Sequence, residues 1–462
     1  MIYFISVVIV GTVLRIFSLS QHDFWFDEAF SYHIARLPVK DLIAVTLTDN
    51  NPPIYYLLLH YILKISDNEI VLRLPSLILG ILAIPLVYIA LKEQINKKAA
   101  IIAASLFSVS PLAIYTAAEA RPHGPAVIFT LLISMAFFTL IKKPNIKYGT
   151  VFIFLAILGI YFHFYTLLLF LPFTWMVLFG KSRIKILKWL LILAIILSAL
   201  LPWFFISIQN THSDCACPST ILSLPASLIS PAIGGVGSVT LRLFPFLPFP
   251  SYLILFAATS LLTLFLFVKG LNKHLSIIPV YILPLIILSL LGLFLPVFSP
   301  KAFSLFSPFY FGIVARGIYF LKKPILALIL FILLSLISLI QIINPFFAGT
   351  RLKPIDAIIK NSRSVPVAHT SLLTYYSLNY YSQGNQKHIL ITQNPLSVET
   401  LRFIGGQKQE VDPKSDRLWL VDTEKWTDTK DREANLKKVF STYHVEKTYK
   451  VDRISVKLLK RK

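Results

Sequence analysis

Apolar residues run in long, barely interrupted stretches through the first three quarters of the chain. Such stretches lie near residues 2 to 19, 71 to 91, 99 to 117, 124 to 141, 148 to 162, 164 to 180, 189 to 208, 251 to 268, 275 to 298, 303 to 321 and 324 to 345. A helix of about 20 apolar residues crosses a ~30 Å hydrocarbon core, so the pattern predicts about eleven transmembrane helices. Backbone polar groups find no partner in lipid, which restricts spanning segments of this length to helices. The apolar run from Pro53 to Leu63 is too short to span and predicts an interfacial or re-entrant helix. The first outer loop, about 20 to 70, is therefore expected to be structured.

The polar positions between the runs are unevenly charged. Alternate connections carry Lys92, Lys97 and Lys98; Lys142, Lys143 and Lys147; Lys181, Arg183, Lys185 and Lys188; Lys269 and Lys273; and Lys322 and Lys323. By the positive-inside rule these face the cytoplasm. The amino terminus is then expected in the cytoplasm, and the loops at about 20 to 70 and 209 to 250, with everything after residue 345, outside. The first stretch has neither a basic n-region nor a small-residue cleavage site, so it is expected to remain as an anchor.

After Asn344-Pro345 the apolar runs shorten to strand length and charges become frequent. Strand-like runs at Val365 to Ala368, His388 to Thr392, Arg417 to Val421 and Arg453 to Leu459 alternate with helix-like stretches at Asp356 to Asn361, Leu372 to Tyr381 and Glu433 to Phe440. The expected organisation is a membrane domain over residues 1–345 and a small soluble α/β domain over residues 346–462, outside the membrane. The fold class is an all-α polytopic membrane protein with that domain appended. The domain has no glycine-rich phosphate loop, so the pattern does not support nucleotide binding, and the chain shows no internal repeat.

Composition supports the membrane reading: 56% of residues are hydrophobic and 14% charged, against about 25% charged in soluble domains. A formal net charge of +22 would suit a nucleic-acid partner, but the basic residues sit as short clusters between apolar runs and read as topology signals. No nucleic-acid partner is expected. Cys215 and Cys217 stand one residue apart, where a disulfide would be strained, and carry no assigned chemistry.

Candidate chemistry concentrates at the ends of the apolar runs. The segment Asp23-Phe24-Trp25-Phe26-Asp27-Glu28-Ala29 places two adjacent carboxylates among aromatics just after the first span. A carboxylate there suits a general base, and an apolar wall is expected to raise its pKa from about 3.9; ordinary solvated charges are the alternative. Arg121, in Ala118-Glu119-Ala120-Arg121-Pro122-His123, is a permanent cation whose planar fork matches a phosphate. Lys301, in a short outer turn, and Arg15, inside the first span, run against the charge trend. A cation near the bilayer centre costs about 2.5–3.5 kcal/mol on insertion scales, so both require either a ligand or snorkelling to headgroups. His163, in Tyr161-Phe162-His163-Phe164-Tyr165, is either a packed or interfacial residue, or a metal ligand or acid-base group, and no residue set has zinc-ligand spacing.

The order of these motifs resembles the prokaryotic branch of the dolichyl-phosphate-mannose-protein mannosyltransferase family, within the GT-C class of membrane glycosyltransferases. The resemblance covers the membrane region and is strongest over residues 11 to 170. It runs through Leu14-Arg15, Phe24-Trp25-Phe26-Asp27-Glu28-Ala29, Asn51-Pro52-Pro53-Ile54-Tyr55-Tyr56, Leu72-Arg73-Leu74-Pro75-Ser76, Glu119-Ala120-Arg121-Pro122 and the aromatic cluster around His163. It implies Asp27 as catalytic base with Glu28 beside it, and Arg121 on the lipid phosphate. It further implies Lys301 as a second phosphate contact and includes Arg15, Asn51, Arg73 and His163 among substrate-binding positions. The chain departs from the family at Asn51, where relatives often carry His, and at His123, where they often carry an aromatic. A divalent cation, Mg or Mn, bridging the phosphate and Glu28 is compatible with this set, though nothing in the sequence requires one.

The activity so implied is inverting transfer of a sugar, hexose or pentose, from a polyprenyl-phosphate donor to a protein, lipid or glycan acceptor on the outer face of the cell membrane. Topology favours the same donor class, because nucleotide sugars are made in the cytoplasm. Two other classes stay open on the sequence: a polytopic lipid or polysaccharide transporter, which usually shows two corresponding halves, and a non-catalytic assembly protein.

Overall fold

The computed structural model describes residues 2–47, 51–180, 182–210, 223–234, 250–272, 275–293, 300–343, 351–392, 402–411, 415–423, 431–452 and 454–462. Lys181, Cys215, Cys217, Lys273 and most of the 209 to 250 loop lie outside the described residues.

The chain is mostly helical. Helices α1 (Ile2–Ser18), α2 (Phe26–Ala35), α3 (Val39–Thr46), α4 (Pro53–Leu63), α5 (Glu69–Leu91), α6 (Lys97–Ser108), α7 (Pro111–Ala117), α8 (His123–Lys142), α9 (Ile146–Phe162), α10 (Phe170–Phe179), α11 (Ile186–Asn210) and α12 (Ser223–Ile233) come first. They are followed by α13 (Pro250–Gly270), α14 (Ile277–Leu291), the single turn α15 (Pro300–Phe303), α16 (Ser307–Leu321) and α17 (Pro324–Ile343). Helical structure thus occurs within each predicted apolar run. Among the described residues α5, α8, the stretch Ser304–Leu321 and α17 are individually long and apolar enough to cross a membrane, and α6 with α7 adds a fifth if the bent pair is one span. The short run from Pro53 is α4, with proline at its first helical position, where the missing N–H costs nothing.

The run predicted over 99 to 117 is broken, its two halves bent by 60°. Pro111 begins α7 and has no N–H to donate, while its ring drives the preceding residue out of helical geometry. Side chains take up the carbonyls at the break: Arg15 Nη1 donates to Ser108 O at 2.7 Å and to Gly11 O at 2.9 Å, and Ser338 Oγ donates to Val109 O. Arg15 is fully buried, with its guanidinium 5.6 Å from the Phe107 ring. A cation at a helix C-terminus complements the helix dipole. Nη1 of Arg15 thus caps the helix break, while its Nε and Nη2 are buried without a hydrogen-bond partner among the described residues. Gly11 permits the close approach, since a Cβ there would lie 2.6 Å from Ile84 Cδ1 and 2.9 Å from Ser108 Cβ.

Residues after 350 form α18 (Lys353–Lys360), α19 (Leu372–Ser382), α20 (Arg432–Thr442) and strands β1 (Val367–His369), β2 (His388–Leu390), β3 (Arg417–Asp422), β4 (Tyr443–Val451) and β5 (Ile454–Arg461). The sheet order is β2-β1-β3-β5-β4, with β1 parallel to β2 and β3, and β5 antiparallel to β3 and β4. The pattern of apolar residues does not predict β4, because most of this edge strand is exposed and its ladder with β5 replaces a buried face. The sheet unit docks on the first loop through a shared core: Phe24, Phe30, Tyr32 and Tyr56 pack with Tyr375, Tyr376 and Tyr380. The Phe24 N–H donates to Tyr381 Oη at 2.7 Å, and Asp23 Oδ2 accepts from the N–H groups of Leu352 and Lys353, capping α18 from another segment.

Replacing a helix cap by alanine costs about 0.5–2 kcal/mol. Asp23→Ala is expected to loosen α18 and speed tryptic cleavage after Arg351 and Lys360 in detergent-solubilised protein. Cleavage at the wild-type rate would remove Asp23 from the docking.

Candidate functional site

Trp25 is the extended residue before α2, so Asp27 and Glu28 fall in the first turn, where the positive end of the helix favours carboxylates. Consecutive helical residues point about 100° apart. That rotation separates the pair: the Asp27 side chain is 25% exposed, whereas Glu28 is fully buried.

Glu28 accepts from Arg73 Nε and Nη2, both at 2.7 Å, and from the Ala120 N–H at 2.8 Å. Arg73 also donates to the carbonyls of Leu19, His22 and Asp23, and its Nη2 lies 3.1 Å from His22 Nδ1. Burial alone would raise the Glu28 pKa, but Arg73 outweighs it and holds the carboxyl below its ordinary value. His22 is pushed down to about 4 by burial and by the Arg73 charge, which keeps it neutral.

Above this layer, Lys301 Nζ lies 3.3 Å from Asp27 Oδ2 and 2.8 and 2.7 Å from the two Glu119 oxygens. The ammonium also sits 4.6 Å from the Trp25 ring centroid and 5.3 Å from that of Tyr115. Trp25 Nε1–H donates to Glu119 Oε1 at 3.0 Å. From the same turn as Glu119, Arg121 Nη1 donates to Ser31 Oγ at 3.1 Å, with Asp27 O and Tyr56 Oη at 3.4 Å. Tyr55 and Ser76 continue the network, 2.8 Å apart, and Ser76 Oγ donates to Arg121 O.

The site therefore brings together Asp27, Arg121 and Lys301, with Glu28 and Arg73 beneath them. Burial pulls Asp27 upward, but Lys301 and Arg121 outweigh it, so its pKa is lowered where the sequence reading expects a raised one. The reason is tertiary: two cations distant in sequence close over the carboxylate. Glu119 goes the other way, since burial, aided by the Glu28 charge, exceeds the pull of Lys301. His163 pairs with His123, Nε2 to Nδ1 at 2.9 Å, and burial pushes it down to about 3. Asn51 is half-buried immediately before Pro52 and α4. Arg15 lies apart, at the helix break.

Glu119, Trp25, Tyr56 and Tyr115 complete the site without having been singled out as site residues. Glu119 had a signal, a carboxylate two residues before Arg121 in a tight connection; Tyr115 had none, lying inside an apolar run. A resident divalent cation does not fit the arrangement. Both Glu28 oxygens are bonded to Arg73, the Lys301 ammonium sits between Asp27 and Glu119, and the described residues contain no cluster of three or more metal-ligating side chains.

Removing one partner of a buried ion pair strands the other, at about 3–5 kcal/mol. Arg73→Met should therefore lower the thermal unfolding midpoint sharply in detergent, and adding Glu28→Leu should restore part of the loss. Unchanged unfolding of the single variant would contradict the role of this pair.

Comparison with known proteins follows the same lines. The sequence profile of the dolichyl-phosphate-mannose-protein mannosyltransferase family matches residues 50–206. No curated protein matches the chain. The crystal structure of ArnT from Cupriavidus metallidurans in the apo state is similar with a TM-score of 0.50 at 13% identity, covering 98% of this chain and 97% of that one. ArnT bound to undecaprenyl phosphate gives 0.48 at 13% identity over the same shares. The archaeal oligosaccharyltransferase AglB from Archaeoglobus fulgidus, in complex with an inhibitory peptide and a dolichol-phosphate, gives 0.46 at 11% identity, covering 91% of this chain and 69% of that one. Motif order, the profile match and the fold shared with ArnT agree that this chain is similar to the dolichyl-phosphate-mannose-protein mannosyltransferase family of GT-C membrane glycosyltransferases.

Proposed function

We propose that the chain is an inverting glycosyltransferase that moves a sugar from a polyprenyl-phosphate donor to a protein, lipid or glycan acceptor on the outer face of the membrane. The observation that carries this reading is Asp27, a carboxylate partly open to solvent, facing Lys301 and Arg121 in one small site. The family description names a polyprenyl-phosphate sugar as donor. The sequence pattern of about eleven spans with basic connections in the cytoplasm supports a first loop and a 346–462 α/β unit outside, where lipid-linked sugars supply what cytoplasmic nucleotide sugars do not.

In a single displacement, an acceptor hydroxyl or amine attacks the anomeric carbon while Asp27 takes its proton. The bond from that carbon to the phosphate oxygen breaks, its electron pair leaves with the polyprenyl phosphate, and one displacement inverts the anomeric centre. Arg121 and Lys301 stabilise the charge growing on the departing phosphate. Donor binding then draws Lys301 from Asp27 toward the phosphate, and the base strengthens as it loses its cation. The side-chain cations supply the charge compensation, so this reading invokes no metal.

General-base catalysis contributes about 10²–10⁴-fold. Asp27→Asn should accordingly lower turnover of a radiolabelled polyprenyl-phosphate sugar by about 10²-fold or more at unchanged expression, and near-normal turnover would discard Asp27 as the base. With the Asp27 pKa lowered by Lys301 and Arg121, the acidic limb of kcat/KM in the wild type should lie below that expected for an unperturbed aspartate. Lys301→Gln removes a cation that lowers it, so the acidic limb should move to higher pH; a limb that stays in place would separate the titrating group from Asp27.

A further inference from the structure

The pair His123 and His163 lies beside this site and has no part in the displacement just described. Both rings are buried, 8% and 5% exposed. Their hydrogen bonds settle which nitrogen carries each proton. The Tyr165 backbone N–H can only donate, and it lies 3.2 Å from His163 Nδ1, so Nδ1 is an acceptor and the proton of the neutral ring is on Nε2. That Nε2–H faces His123 Nδ1 at 2.9 Å, which makes His123 Nδ1 an acceptor as well. The proton of neutral His123 is then on Nε2, and this donor has no partner among the described residues.

The position of His123 indicates what that donor meets. It is the first residue of α8, two residues after Arg121, in the turn where helical N–H groups lack intrahelical partners. Arg121 and Lys301 are both close enough to act electrostatically on its ring. A Cβ at Gly124 would lie 2.4 Å from Thr116 O, so the first turn of α8 is held tightly against the end of α7 and the ring has a rigid base. An unpartnered N–H at a helix N-terminus, within electrostatic reach of two cations, is complementary to an anion.

We propose that His123 donates a hydrogen bond from Nε2 to the phosphate of the polyprenyl-phosphate donor, and that His163 is the positioning residue that holds His123 in the donating tautomer. The proposal rests on the glycosyltransferase reading above and adds a third, uncharged contact to the two cations. An aromatic at this position, as relatives often carry, fills the space without supplying a donor. His163 acts only through His123, so its effect should vanish when His123 cannot donate.

The test is binding of undecaprenyl phosphate to the full chain in lipid nanodiscs, for wild type, Arg121→Ala, His123→Phe, His123→Gln, His163→Leu and the His123→Phe, His163→Leu double variant. Hydrogen bonds to charged groups are worth about 1.5–3 kcal/mol, so His123→Phe should bind about tenfold or more weakly. His123→Gln, whose amide can donate, should recover part of the loss. His163→Leu alone should weaken binding, and in the double variant it should add nothing to His123→Phe. Wild-type affinity of a folded His123→Phe protein, alongside weakened Arg121→Ala, would overturn the role of His123 and leave the glycosyltransferase reading standing. Equal additional losses from His163→Leu in both backgrounds would overturn the positioning role. Failure of the wild type to bind undecaprenyl phosphate would overturn the donor reading and this proposal with it.

Discussion

The bidentate bond between Glu28 and Arg73 is the contact on which the rest of the site depends. It joins α2 to α5, and the same carboxylate accepts the Ala120 N–H, so one buried pair fixes three segments. Ala120 stands between Glu119 and Arg121, and Glu28 follows Asp27. The base candidate and the phosphate-binding candidate are therefore located by the residues next to them. Arg73 suits the place because a guanidinium presents a fan of donors. The chain between α1 and α2 is irregular, and its carbonyls at Leu19, His22 and Asp23 need partners in an apolar surrounding. A lysine has no such planar fork, and an apolar residue would leave those oxygens unbonded.

Above that pair lies a balanced set of two carboxylates and two cations, Asp27 and Glu119 with Lys301 and Arg121. Formal neutrality limits the cost of burying four charges. It also means that an anionic ligand has to compete with carboxylates for the cations. That competition separates the two carboxylates physically: Asp27 is partly open and held ionised, while Glu119 is closed in by Trp25, Tyr115 and Lys301 and shifts toward its protonated form.

The first loop is held on both sides. Beneath it are α5 and the turn before α8; above it, the aromatic face of α19 shares a core with Phe24, Phe30 and Tyr32, and Asp23 caps α18. A loop of this length would ordinarily lose much of its order to conformational entropy. Its aromatic residues bury on the sheet unit instead, so the described residues after 350 contribute to the placement of the segment that carries Asp27.

The sequence by itself determined the helical membrane architecture, the short helix at Pro53, the change of composition after Pro345, and the motif residues Asp27, Glu28, Arg73, Arg121 and Lys301. Most of these were legible as local properties: the length of an apolar run, a proline at a helix start, adjacent carboxylates among aromatics, or a cation at the end of an apolar run; Arg73 came only from the family resemblance. The edge strand β4 was not legible, since its stabilisation is a ladder to β5 rather than a buried face. Nor was the break in α6–α7 that Arg15 caps, nor the division of labour between adjacent carboxylates. Only the tertiary structure decided that Glu28 belongs to Arg73, that Glu119 shares Lys301 with Asp27, and that the Asp27 pKa falls rather than rises. Electrostatic partners act through space at a few ångströms, and these come from segments separated by tens to hundreds of residues, a distance across which one-dimensional pattern carries no register.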